Sequence, residues 1–237
     1  MPKHKGGKRV TIRIVIVLVL LVVIGEIGAL LWLQGSVARY QKFWENKAQE
    51  TGEITYVALG DSAAQGIGAS SPMRGYVGLI TKSLEQKTDK KVRVINLSVS
   101  GATARDCLDK QIPELKNYKP DLVTIEIGAN DVKGHDLQKF ESDFSELLPL
   151  LPKNTYVSNM PLFNSRPSST QGAKEQSKII ERLVSKNKNL NFVDLQTQTT
   201  QHQSIFGFAP DLFHPNNLSY KNWADAFWNE IEKNKIF

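Results

Sequence analysis

The chain opens with one long apolar run and continues with short apolar segments separated by amphipathic ones. The run from Ile14 to Leu33 contains a single charged residue, Glu26. A helix of this length spans about 30 Å, the thickness of the hydrocarbon core of a bilayer. The pattern therefore predicts a transmembrane anchor over residues 14–33.

Charge on the two sides of this run predicts its orientation. Basic residues precede the run, and they account for most of the net charge of +6: Lys3, Lys5, Lys8, Arg9 and Arg13. Such a cluster favours an N-terminus inside, residues 1–13 as a cytoplasmic tail, and the bulk of the chain outside. Trp32 and Tyr40 are then expected at the outer membrane interface. The alternative is a secreted protein whose signal peptide is cleaved near Ser36-Val37-Ala38, although the run exceeds the roughly 7–15 apolar residues of such peptides.

Beyond the anchor, a polar stretch from Gln34 to Gly52 is expected to form a stalk, helical or flexible, ahead of a domain over residues 53–237. In that domain, continuous apolar strands alternate with helical patterns, which indicates a parallel sheet covered on both faces. The expected strands are Ile54–Leu59, Val92–Leu97, Leu122–Ile127, Thr155–Ser158 and Asn191–Leu195. The expected helices are Tyr76–Leu84, Thr103–Leu115, Leu137–Leu151, Lys174–Lys186 and Tyr220–Lys233, with Ser165–Gly172 as a polar loop.

Composition excludes some classes of function. From Ile14 onward, 25 Lys and Arg face 24 Asp and Glu, so no basic surface is expected and nucleic acid is not a predicted partner. No two histidines have metal-ligand spacing, so a metal is not predicted. Cys107 is the sole cysteine and is expected to be a buried apolar residue on a helix.

Four short segments carry candidate chemistry. Three of them follow the ends of predicted strands, where sites form in open α/β sheets. The fourth precedes the last helix. The segments are Gly60-Asp61-Ser62, Gly101, Gly128-Ala129-Asn130-Asp131 and Asp211-Leu212-Phe213-His214.

These segments supply the parts of a serine hydrolase. Ser62 can attack a carbonyl, His214 can take its proton, and Asp211 can orient the imidazole from three residues away. The alternatives are an N-cap serine at residue 62 and a surface turn at residues 211–214. Asp61 is too close to the nucleophile to reach behind the histidine and is expected to tie the turn by hydrogen bonds.

An oxyanion hole is predicted from the N–H groups of Ser62 and Gly101 and the amide of Asn130. Asn130 could instead be a turn residue, and Gly101 an ordinary loop glycine. Three aromatic residues near His214 could line an acyl pocket or pack in the core: Phe206, Phe208 and Phe213.

On these residues the chain resembles the SGNH (GDSL-type) hydrolases, named for serine, glycine, asparagine and histidine in four ordered blocks. Ser62, Gly101, Asn130 and His214 match the blocks, and Asp211 matches the D-x-x-H of the last one. The resemblance covers roughly Ile54 to Ile231, with Ala63 and Ser219 as departures in positions without a catalytic atom. It implies a three-layer α/β/α sandwich with a five-stranded, flavodoxin-like parallel sheet and no cofactor.

The function expected from these features is a membrane-anchored, extracytoplasmic serine esterase for carboxylic esters or thioesters. Its substrate partner would be a small-molecule, lipid or glycan ester. Two alternatives stay open: an O-acyltransferase or deacetylase of cell-envelope glycans, and a non-catalytic surface-anchored binding protein on the same fold.

Overall fold

The computed structural model describes residues 6–134, 136–163 and 166–237. Lys3 and Lys5 of the basic tail, and Ser165 of the expected polar loop, lie outside the described residues. The strands are β1 (Ile54–Gly60), β2 (Val92–Asn96), β3 (Leu122–Glu126), β4 (Thr155–Ser158) and β5 (Leu190–Val193). The helices are α1 (Gly6–Lys47), α2 (Ser62–Gln65), α3 (Tyr76–Thr88), α4 (Ala104–Asp106), α5 (Ile112–Leu115), α6 (Leu137–Leu147), α7 (Pro167–Val184), α8 (Leu195–Gln201) and α9 (Asn217–Asn234).

The five strands form one parallel sheet in the order β2-β1-β3-β4-β5. Helices cover both faces. Side chains of α5, α6 and α7 form a core with one face, and side chains of α3 and α9 form a second core with the other. The expected three-layer α/β/α sandwich is confirmed, and the order places the carboxyl ends of β1 and β3 side by side.

Three helical features differ most clearly from the sequence-based expectation. Helix α7 begins at Pro167, since proline suits the first helical turn, and it takes up most of the stretch expected to be a polar loop. Helix α8 was not expected; it begins where the Asp194 carboxylate accepts a hydrogen bond from Thr197 N at 3.0 Å. Between α4 and α5 the residues Cys107–Gln111 form a π-helical turn, which ends two residues before Pro113, a residue without an N–H.

Helix α1 combines an exposed apolar half with a half that packs on the domain. Over the described residues, Arg13–Lys47 is the segment long and apolar enough to cross a membrane, a property that signal sequences share. From Leu33 onward one face is buried, at Leu33, Ser36, Tyr40 and Trp44. The stretch from Gln34 to Lys47 is therefore helical and in contact with the domain, while its assignment as a separate stalk stays a prediction.

Tyr40, which was expected at the outer membrane interface, packs on the domain. Its ring is buried and its hydroxyl donates to Ala69 O at 2.6 Å. One turn further, Trp44 Nε1 donates to Gln65 O at 3.0 Å, so α1 is bonded to the helix that carries Ser62.

Candidate active site

The segment with Ser62 is a sharp turn from β1 into α2. Gly60 has φ +148°, and a Cβ there would lie 2.3 Å from Glu126 O of the neighbouring strand, so only glycine lets the strands meet. The Gln111 side chain fixes Gly60 by donating to its carbonyl at 2.7 Å and accepting from its N–H at 2.9 Å. Gln111 ends the π-helical turn, a feature frequent at functional sites.

Asp61 caps the short helix α2 with one carboxylate oxygen. Its Oδ1 accepts from Ala63 N at 2.9 Å, and Ser62 becomes the first residue of the helix. Burial raises the pKa of Asp61 to about 6, against the lowering effect of the Ala63 hydrogen bond and of His214. The expectation that Asp61 ties the turn together agrees with these contacts.

His214 is brought to Ser62 by the loop between α8 and α9. Its Nε2 lies 2.9 Å from Ser62 Oγ, and its Nδ1 lies 2.6 Å from Asp211 Oδ2. The other oxygen of Asp211 accepts from the backbone N–H groups of Phe213 and His214, at 3.0 and 3.1 Å. Burial raises the pKa of Asp211, but the hydrogen bonds and charge of His214 outweigh it and leave the pKa below its usual value.

Two backbone features close this loop. Leu212 has φ +53°, in the left-handed region. This conformation is energetically unfavourable for a residue with a bulky side chain, and such residues are concentrated at functional sites. Gly68, with φ +96°, lies under the loop, and a Cβ there would lie 2.3 Å from Pro215 O and 2.9 Å from His214 Cβ. Without a side chain at position 68, the histidine can approach α2.

Asn130 and Gly101 lie beside this relay in different ways. Asn130 Nδ2 donates to Asp61 Oδ2 at 3.1 Å and to Ala102 O at 2.9 Å, so both amide hydrogens have protein acceptors. Gly101 occupies an exposed turn after β2 with φ +84°, outside the cleft that contains Ser62. Asn130 is thus hydrogen-bonded directly to the turn that carries Ser62. Its second hydrogen bond, to Ala102 O, connects this turn to the segment that contains Gly101.

A cleft with mainly apolar walls lies above Ser62 and His214. Phe208 and Phe213 line it, which is one of the two alternatives that the sequence left open, whereas Phe206 is 78 % exposed and does not. Its other walls come from segments that were not among the candidate site residues, and they include Leu162, Phe163, Thr199, His202 and Trp223.

Arg166 supports the wall formed by Phe213. The Phe213 ring stacks on Phe163 at 5.8 Å between centroids, and the Arg166 guanidinium lies 4.6 Å from the Phe213 centroid. Arg166 Nη2 also donates to Asp211 O at 3.0 Å. The sequence offers no local signal for these contacts, because the residues lie about 45 positions apart.

Glu126 is the unexpected ionisable group of the site. It ends β3, lines the cleft, is buried, and its two carboxylate oxygens have no hydrogen-bond partner among the described residues. Burial and the nearby charge of Asp61 raise its pKa well above the usual value. A carboxyl group inside an otherwise uncharged buried strand was the available sequence signal. Within the described parts of the chain, no three His, Cys, Asp or Glu side chains cluster as metal ligands would.

Known proteins resemble this chain in sequence and in fold. The esterase TesA of Pseudomonas aeruginosa is 35% identical over 83 residues, 35% of this chain and 40% of TesA, so the chain spans well under half of that relative. The acetylxylan esterase Axe2 of Geobacillus stearothermophilus superposes with a TM-score of 0.61 at 23% identity, over 76% of this chain and 94% of Axe2. LAE5, an alpha/beta hydrolase enzyme from the metagenome of Lake Arreo, gives a TM-score of 0.63 at 23% identity, over 77% and 97% of the two chains.

The two structural likenesses support the fold. Residues 58–221, most of the domain and all four candidate segments, match the sequence pattern of one family. The chain belongs to the GDSL-like lipase/acylhydrolase family, the SGNH hydrolases.

Proposed function

We propose that this protein hydrolyses carboxylic esters or thioesters with Ser62 as nucleophile, His214 as base and Asp211 as the residue that orients the base. One observation carries the proposal: Ser62 Oγ, the imidazole and the Asp211 carboxylate form a continuous hydrogen-bonded chain at the cleft. A non-catalytic binding protein would not need this arrangement.

The proposed reaction passes through an acyl-enzyme on Ser62. Ser62 Oγ attacks the acyl carbon while its proton moves to His214 Nε2, and the imidazolium is stabilised by Asp211. The tetrahedral intermediate expels the alcohol, which takes the proton from Nε2. Water then attacks the acyl-enzyme with its proton passing to Nε2, and Ser62 recovers the proton as the acid leaves.

The oxyanion is held by the N–H groups of Ser62 and Gly101 and by the Asn130 amide. Asn130 must share one of its hydrogens, now bonded to Asp61 or Ala102 O, with the developing negative charge. The hydrogen bond from Asn130 Nδ2 to the Asp61 carboxylate supports this role, because it keeps the amide beside the turn that carries Ser62. For Gly101 to act as an oxyanion donor, the turn at residue 101 must direct its backbone N–H toward the same oxygen.

The apolar walls of the cleft favour a substrate with an extended acyl chain, and this chain would occupy the cleft. Phe208, Phe213 and Trp223 would contact that group. Transfer to a glycan hydroxyl, or removal of acetyl groups from a cell-envelope glycan, would use the same residues. A series of p-nitrophenyl esters of increasing chain length, run beside an acetylated glycan and a lysolipid, separates these substrates.

We further infer that α1 anchors the domain outside the membrane, with the N-terminus inside. Support comes from the exposed large apolar side chains of α1 between Ile14 and Leu31 and from the basic residues before them. Protease added to intact cells should release the domain and leave the apolar segment in the membrane fraction. A domain found in the medium and beginning near Arg39 would instead establish signal-peptide cleavage.

The test of the catalytic proposal is covalent labelling by a fluorophosphonate, with the modified residue located by mass spectrometry. The intact protein should be labelled at Ser62, and Ser62→Ala should lose both labelling and turnover. Ser100→Ala, in the neighbouring turn, is the matched control and should retain both. Labelling that persists in Ser62→Ala would refute the assignment, and an unlabelled intact protein would favour the binding-protein alternative.

A further inference from the structure

The end of the domain that carries the site lies at the membrane end of α1. Near Leu33, α1 contacts Ile67 and Ala209, which belong to loops at the carboxyl edge of the sheet. Near its other end, Ala48 O accepts from Arg93 Nε at 3.1 Å, beside the start of β2 at the amino edge. From Leu33 to Ala48 a helix rises about 22 Å, the length of a strand, so this part of α1 runs from the carboxyl edge to the amino edge.

No free linker separates the apolar half of α1 from this contact. The large apolar side chains from Ile14 to Leu31 are exposed, and Leu33, two residues later, is already buried against the domain. Trp32 lies in a surface groove with Leu218 and has the Arg39 guanidinium 5.5 Å from its ring. Tryptophan and arginine are residues that membrane interfaces favour.

Exposed apolar side chains concentrate at the same edge. Outside α1, the described residues with large exposed apolar side chains are Val99, Leu150, Ile205, Phe206, Leu212 and Leu218. All except Leu150 lie in, or directly after, loops at the carboxyl edge; Leu150 precedes β4 and lies at the amino edge. Ile205 and Phe206, at 81 % and 78 % exposed, are adjacent in the loop that also carries His214.

Formally charged residues are fewer at the carboxyl edge of the sheet than at the amino edge. The carboxyl-edge segments 61–71, 97–104 and 202–218 contain two formally charged residues, Asp61 and Asp211, and both carboxylates accept hydrogen bonds inside the site. The segments that follow β3 and β4 at this edge add Asp131, Lys133, Asp136 and Arg166. The amino-edge loops carry many charges, at Asp89, Lys90, Lys91, Lys116, Lys119, Asp121, Lys153, Lys186 and Lys188. A surface poor in charge and rich in exposed apolar groups is suited to the boundary of a bilayer.

We propose that the carboxyl edge of the sheet rests against the outer surface of the bilayer that α1 spans, with Ile205, Phe206 and Leu218 in the interface and the cleft open toward lipid. The proposal rests on the proposed anchoring by α1 and adds an orientation to it. The occupant of this surface is the membrane itself, because the surface is continuous with the exposed apolar half of α1. An ester reaches Ser62 from the bilayer side.

Fluorescence quenching in vesicles tests the orientation. Full-length chains carrying Ile205→Cys or Leu150→Cys, labelled with an environment-sensitive probe, are reconstituted into phosphatidylcholine vesicles containing head-group nitroxide lipid. Cys107 is fully buried and should not react. The probe at position 205 should be quenched several-fold more than the one at position 150. Equal quenching at the two positions would overturn the proposal.

A third variant separates this inference from the proposals on which it depends. A probe at Leu20→Cys should be quenched by nitroxides in the acyl chains if α1 spans the bilayer, and no quenching there would overturn anchoring and orientation together. Fluorophosphonate labelling of Ser62 in the same vesicles reports on the esterase proposal independently. Quenching at position 20 without quenching at position 205 would overturn the orientation alone.

Activity provides a second readout. Ile205→Ser should reduce kcat/KM on a long-chain ester held in vesicles by roughly tenfold, the effect of withdrawing one large apolar side chain from lipid. The same variant should leave hydrolysis of water-soluble p-nitrophenyl acetate unchanged, because Ile205 does not line the cleft. Leu150→Ser should alter neither rate. An equal loss on both esters, or no loss on the vesicle ester, would contradict the proposal.

Discussion

His214 Nε2 lies 2.9 Å from Ser62 Oγ, although 152 residues separate the two in the chain. This contact depends on two backbone conditions: the side-chain-free Gly68 beneath the histidine loop and the left-handed turn at Leu212. It also depends on Asp211, which binds both the imidazole and the backbone of the turn.

Asp211→Asn should keep this turn but disable the base. The amide oxygen can still accept from the N–H groups of Phe213 and His214, while its NH₂ would face Nδ1 and place the imidazole proton on Nε2. Such a tautomer cannot accept from Ser62, and kcat should fall by about 10³- to 10⁴-fold with little change in KM. Steady-state kinetics on a p-nitrophenyl ester measures this, with Asp225→Asn on the surface of α9 as control. A loss below about tenfold would mean that Asp211 does not orient the base.

Asn130→Ala should remove one oxyanion donor. We expect kcat to fall by roughly 10²- to 10³-fold, the usual loss for a single donor. Labelling of Ser62 by a fluorophosphonate should become slower yet remain detectable, because the nucleophile and base are unchanged. Near-normal kcat on an activated ester would show that Asn130 serves only as the partner of Asp61 and Ala102 O.

Asp131→Asn should stabilise the domain most above about pH 6 and by a smaller amount at pH 5, because the window lies between the unfolded pKa of about 3.9 and the folded one. Burial raises the pKa of Asp131 to about 6, so the neutral form is favoured in the folded state and the stability linked to its protonation is lost as pH rises through about 6. Asparagine removes the buried charge and keeps an acceptor for Ala104 N. Urea unfolding between pH 5 and pH 8 should show a difference that grows with pH up to roughly pH 6.5 and is constant above it.

Asp106→Asn provides a control of opposite sign for that experiment. Hydrogen bonds from Lys110 and Thr103 lower the pKa of Asp106 to about 2, so its contribution is complete above the unfolded value of about 3.9 and lost only as pH falls toward 2. This variant should be destabilised by a constant amount from pH 5 to pH 8. A constant effect of Asp131→Asn over the same range would contradict the raised pKa of Asp131.

The domain-packed part of α1 should be needed for stability. A chain beginning at Ala29 retains the buried side chains of Leu33, Tyr40 and Trp44, and one beginning at Glu53 loses them. The shorter chain should melt at a lower temperature, measured by circular dichroism. Within the longer chain, Trp44→Ala should lower the free energy of unfolding by about 3 kcal/mol, since it removes a large buried ring and a hydrogen bond to α2. Identical melting of the two chains would restore the description of residues 34–52 as an independent stalk.

Much of the fold follows from local pattern. Strands such as β1 and β3 are apolar on both faces because helices cover the sheet, and that property is visible in a single segment. The turn at Asp211–His214 is equally local, since three residues suffice to bring the carboxylate to Nδ1. Once strands and helices alternate, the parallel connection rule brings Ser62 and Asn130 to the same edge.

The sequence by itself determined the sheet, the family segments and the residues capable of nucleophilic chemistry. Only the tertiary structure decided that Tyr40 packs on the domain, that Asn130 donates to Asp61, that Phe206 lies outside the cleft and that Glu126 lies within it. The physical reason is the separation along the chain of the residues that determine each property. Periodicity and turn chemistry record what a residue does among its near neighbours, whereas burial and hydrogen-bond partners depend on segments that meet only after the chain has folded.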